Sequence, residues 1–132
     1  MRAVRFPLLL ACLAGLTGFD APTLRVPGDG QPAERVLALW EQTRPILLAD
    51  AGQPLSDAQA LAHGAPVLDA WTRLEAQLAA SDASGETHAV MKLLNDFYGR
   101  PQSTPQRRLA IRNRTRAEFA QRLQNVEQRL RR

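Results

Sequence analysis

The sequence predicts an all-α fold: a small helical bundle of about four to five helices, closed by a long Arg-rich C-terminal helix. Three observations predict it. Beyond residue 31 apolar side chains recur at spacings of three and four, and no stretch alternates β-branched with polar residues as a strand would. Pro, Ser, Thr and Gly fall where helices start and stop. The single cysteine, Cys12, lies near the N-terminus, so the helical region has no thiol for a disulfide, a metal or a nucleophile and must fold by packing.

Pro32 suits a first helical position, and a helix is expected from there to about Ala51, with Gly52 as its stop. Its stripe is Val36, Leu37, Trp40, Leu47 and Leu48, and Pro45 should kink it because a proline nitrogen cannot bond back. Ser56 with Gln59 forms a capping box for a short helix. Gly64 and Pro66 should interrupt that helix, with a new start at Pro66 carrying Val67, Leu68, Trp71, Leu74 and Leu78 on one face. Ser81–Gly85 reads as a loop. A helix from about Glu86 then buries Val90, Met91, Leu94 and Phe97 and stops at Gly99. Trp40 and Trp71 sit on leucine stripes and are read as core, and Tyr98 is read as closing the core at a helix end.

Thr104 and Pro105 open the last helix, which has no breaker before Arg132. Its 27 or so residues would extend about 40 Å, so part of it should project. Phe119, Leu123, Val126 and Leu130 form a narrow coiled-coil-like seam. Glu118–Arg122 and Glu127–Arg131 are candidate i,i+4 pairs. Extending the seam backwards places Arg116, Arg112 and Leu109 where core residues belong. Burying an unpaired guanidinium costs several kcal/mol, so this half is expected to stand in solvent. Internal pairing with acidic side chains is the alternative.

Charge is unevenly shared. From Asp20 to Gly99 five basic residues face eleven acids, a net −6, whereas Arg100–Arg132 carries ten arginines and two glutamates, a net +8. Such asymmetry points to a basic interaction surface. Arg107, Arg108, Arg112, Arg114 and Arg116 are the candidate partner-binding residues, able to hold carboxylates or phosphates. Phe119 is the one aromatic in that helix, which argues against a stacking platform for nucleic acid.

Arg2 and Arg5 precede an apolar run from Phe6 to Phe19, the pattern of an export signal. The run is 14 residues, short of the roughly 20 needed to span a bilayer. Residues 1–19 are therefore read as an export signal, 20–31 as a flexible Pro/Gly-rich leader and 32–132 as the helical domain. The stretch resembles a lipoprotein signal, but Phe19 stands where the acceptor cysteine would be and offers no sulfur for a thioether. Cys12 in Leu9–Cys12 is a weaker lipidation candidate, since it leaves too short an apolar core. The expected location is the periplasm or envelope of a bacterium, free or tethered by an uncleaved signal.

His63 and His88 are the only histidines, while a zinc site takes three or four ligands. No phosphate loop, H-E-x-x-H or G-x-S-x-G occurs, so neither metal nor cofactor is expected. Leu55–Gln59 resembles, with Ser for Thr, the Leu-Thr-x-x-Gln signature of small helical periplasmic stress chaperones; a capping box accounts for the same residues. Exported all-α chorismate mutases are similar in combining arginines, a lysine and a glutamate in a bundle, and Arg73 and Lys92 invite that comparison without a motif to fix it. The expected function is that of a non-enzymatic envelope adaptor whose basic C-terminal helix binds an envelope protein or an anionic lipid surface. The alternative is a small secreted all-α enzyme whose arginines bind a carboxylate substrate. A long exposed basic helix would favour the adaptor, and a pocket with convergent Arg, Lys92 and a carboxylate the enzyme.

Overall fold

The structure, a computed structural model, describes residues 24–132. The expected signal, with Cys12 and Phe19, lies outside the described residues, as do the first four residues of the expected leader. Five helices follow one another: α1 (Pro32–Ala51), α2 (Asp57–Gln77), α3 (Ser84–Tyr98), α4 (Pro105–Ala117) and α5 (Phe119–Leu130). Among the described residues no helix is long and apolar enough to cross a membrane.

Helices α1, α2, α3 and α5 close a ring, α1 on α2, α2 on α3, α3 on α5 and α5 back on α1. Cross-links fix the directions. Arg122 of α5 reaches Asp96 near the end of α3, while Arg129 reaches Glu86 near its start, so α5 runs antiparallel to α3. The result is a four-helix bundle around fully buried Trp40, Trp71, Phe97 and Tyr98 and the leucines between them. Helix α4 is not one of the four. It covers the end of the bundle where α1 and α3 finish and α2 begins, touching α3 and, less, α2 and α1 through Arg116.

That arrangement corrects the single long C-terminal helix. The chain turns at Glu118 (φ −105, ψ 10) between the cap helix and the bundle helix, so neither half projects. The two i,i+4 pairs expected there give way to links between helices. Glu127 accepts from Arg44 (2.5 Å) and from the Trp40 indole (3.2 Å), and Arg122 takes Asp96 at 3.0 Å. The seam itself is present: Leu123, Val126 and Leu130 are buried, and Phe119 is partly so with its ring 5.4 Å from that of Phe97.

Helix α2 also differs from expectation, continuing through Gly64 and Pro66 for 21 residues. Gly64 is a contact point rather than a break. A Cβ there would lie 2.5 Å from the Cβ of Tyr98, so the missing side chain lets α3 approach α2. Helix α1 runs Pro32–Ala51 with Pro45 inside it, the expected bounds, while α3 starts at Ser84, two residues earlier than expected. The stripes were incomplete: Leu39, Thr43 and Leu93 are buried as well, while Leu48 is exposed.

The described part of the leader, Leu24–Gln31, is a strap along α1 and not a free tether. Arg25 exchanges two backbone bonds of 2.9 Å with the Gln42 side chain. Arg35 donates to Pro27 O at 2.8 Å, and Leu24 and Val26 pack on the core.

Candidate functional site: the two faces of α4

Thr104 caps α4 by accepting from the Arg107 amide, which sets the phase of every arginine that follows. Arg108, Arg112 and Arg116, four residues apart, fall on one face. The structure turns that face inward, against the expectation that these residues stand in solvent. Arg108 and Arg112 are buried and Arg116 is half-buried.

What makes burial tolerable is that each guanidinium finds two or more acceptors. Arg108 grips the Asp57 carboxylate with both prongs, Nε at 2.9 Å and Nη2 at 2.7 Å. Its Nη1 collects the carbonyls of Arg100, Pro101 and Ser103, so the loop after α3 wraps one guanidinium. Arg112 donates to Asp57 at 3.0 Å, to Tyr98 O at 2.9 Å and to Phe97 O at 3.3 Å. Arg116 donates to Asp50 O and Ala51 O, each at 3.2 Å, and lies over the Phe97 ring at 5.0 Å.

These acceptors share a cause. The last carbonyls of a helix have no partner within it and carry the negative end of its dipole. Neither α1 nor α3 has a basic residue in its last turn. Helix α4 supplies the missing cations from outside, Arg116 to the end of α1 and Arg112 to the end of α3. Gly99 (φ 98) makes room for them, since a Cβ there would lie 2.7 Å from Arg108 Cδ and 2.9 Å from Arg112 Nη2.

Asp57, at the first position of α2, joins the set from the opposite dipole end. The Arg108 hydrogen bond first, and then Arg112, outweigh partial burial and hold its carboxyl down to about 2. A carboxyl depressed in the fold stabilises fully above its unfolded value of 3.8 and loses that contribution as pH falls through about 2. Thermal melts followed into acid should therefore fall over this window, and Asp57→Asn should abolish that step while melting lower at neutral pH.

A second polar cluster sits beneath. The buried Asp50 carboxylate accepts the Tyr98 hydroxyl at 2.5 Å and faces His63 Nδ1 at 2.8 Å. Burial first, and then Asp50, push the Tyr98 hydroxyl above the ordinary tyrosine range, so it stays a neutral donor. His63 is thus taken up by α1, while His88 lines an open groove between α2 and α3.

Arg107 and Arg114 are exposed on the opposite flank of α4. With Arg100 and Lys92 they line a polar groove of about 480 Å³ between α4, the end of α3 and the connecting loop. Among the described residues Arg100, Arg107 and Arg114 enter no ion pair. The one carboxylate lining the groove, Asp96, is already held by Lys92 at 3.2 Å and Arg122 at 3.0 Å. Arg73 is elsewhere, paired with Asp69 on α2. Of the five arginines read as partner-binding, the structure places two, Arg107 and Arg114, on this groove's exposed wall; Arg108 lines its inner side from within the Asp57 cluster, and Arg112 and Arg116 face the other flank. Arg100, left out of the sequence reading, belongs with the exposed pair, and its place just after the Gly99 stop was the available signal. No protein-family model, curated protein or solved structure matches this chain.

Proposed function

We propose that this chain is a non-enzymatic accessory protein of the bacterial envelope that holds an acidic protein segment in the groove lined by Lys92, Arg100, Arg107 and Arg114. The observation that carries this reading is that the three arginines, which enter no ion pair among the described residues, surround a concave polar surface. Guanidinium forks suit carboxylates, and a groove receives a projecting side chain better than a flat membrane. The envelope assignment rests on the N-terminal pattern of Arg2, Arg5 and the apolar run to Phe19.

The enzyme reading draws on the same groove, where Lys92 and Asp96 meet. It is the weaker one because Asp96 is engaged by two cations and neither histidine lines the groove, leaving no free base among its lining residues. Binding to a fluorescent Glu-rich peptide and to anionic vesicles, measured across a salt series, tests the proposal. Peptide binding should weaken steeply with salt, and changing Arg100, Arg107 and Arg114 together to Gln should weaken it about tenfold or more while leaving the melt within about 1 kcal/mol of the parent. Equal peptide binding by the triple variant would overturn the proposal, and preference for vesicles would replace the protein partner by lipid.

A further inference from the structure

On the other flank of α4, facing the start of α2, lies a groove of about 650 Å³ with two unlike walls. Pro54, Leu55, Pro105 and Leu109 give it an apolar rim, and Leu109 is 54% exposed, the most exposed of the large hydrophobic residues among those described. Arg112 and Arg116 line the same groove from the bundle side. We propose that this groove is a binding site for a small amphiphilic carboxylate, its apolar arm on Leu109 and Leu55 and its head on Arg112 and Arg116.

The head position follows from donor accounting. Arg112 is only 4% exposed, yet its acceptors engage Nε and Nη2 alone. Among the described residues Nη1, with two hydrogens, has no acceptor. Arg116 spends Nη1 and Nη2 on carbonyls and, among the described residues, Nε has no acceptor. A buried cation with unused donors favours an acceptor from outside. Two lining arginines that each keep a donor unused suit a head with two oxygens, which is a carboxylate. Asp57 also lines the groove, but both its oxygens are taken by Arg108 and Arg112. The helix starts at Ser56 and Pro105 open onto the same space and add the positive ends of two dipoles. The rim explains the arm: an exposed leucine beside two prolines and Leu55 is apolar surface that a ligand would cover.

The site is separate from the Arg100, Arg107 and Arg114 groove, and its test can be read independently. The full chain, labelled for NMR, is titrated with octanoate, octanol and acetate while the Arg112 and Arg116 guanidinium and Leu109 methyl signals are followed. Octanoate should bind saturably and shift all three, about tenfold or more tighter than either octanol, which lacks the charged head, or acetate, which lacks the arm. Leu109→Glu, a change at an exposed position, should weaken octanoate about tenfold or more with an unchanged melt, because it replaces apolar contact by like charge. The Arg100, Arg107 and Arg114 triple variant should bind octanoate as the parent does. Octanol or acetate binding as tightly as octanoate, or octanoate binding undiminished in Leu109→Glu, would overturn the proposal.

Discussion

Replacing Arg112 by glutamine is expected to lower stability by roughly 3–5 kcal/mol, the range for removing one member of a buried charged cluster. Glutamine keeps good helix propensity, so the loss would come from tertiary partners. Without the guanidinium, the Phe97 and Tyr98 carbonyls at the end of α3 lose their donor in a buried setting. Asp57 keeps Arg108, so α2 stays tied to α4 while α3 comes loose from it. The melt should fall by on the order of 15 °C for a domain of this size. Arg112→Lys should recover only part, because a point charge cannot serve Asp57 and two carbonyls as a fork does. A melt of Arg112→Gln equal to the parent would show that the cluster is peripheral.

Trp71→Ala should cost a similar amount, about 3–5 kcal/mol. Trp71 is fully buried at the middle of the bundle, and its indole donates to Thr43 Oγ1 at 2.8 Å, which in turn donates to Leu39 O at 2.8 Å. Truncation therefore leaves a cavity between α1 and α2 and removes the donor that Thr43 accepts from. Trp71→Phe separates the two effects: it retains much of the volume and should cost less than half as much, with the remainder assigned to the smaller ring and the lost hydrogen bond. Denaturant unfolding of both variants measures the split. Equal costs would mean that the hydrogen bond outweighs the packing.

Local signals were legible in the sequence. The Ser56–Gln59 capping box, the Thr104 cap, the Gly52 stop and the tryptophans on leucine stripes appear in the structure where the residues placed them. Each depends on neighbours within one helical turn, which a linear reading sees directly. Features set across the chain were not legible. Gly64 looked like a breaker because its reason for being glycine, Tyr98, lies on another helix. The arginine stripe looked like surface because its acceptors are a carboxylate 51 residues away and carbonyls at the ends of α1 and α3. Backbone carbonyls have no residue letter to announce them. The one distributed signal was the contrast between the acidic body and the basic tail, and it fitted internal pairing as well as external binding. The arginines divide between the two: those at 108, 112 and 116 hold the bundle end together, and those at 100, 107 and 114 face solvent.

Parallel thermal melts of two triple variants test that division. Changing Arg108, Arg112 and Arg116 to Gln should leave a chain that melts far below the parent or does not fold, because three helix and loop ends lose their cations at once. Changing Arg100, Arg107 and Arg114 to Gln removes the same charge from the same region and should melt within about 1 kcal/mol of the parent. Equal melts for the two variants would rule that division out, since net charge and not the direction of each arginine would then govern stability.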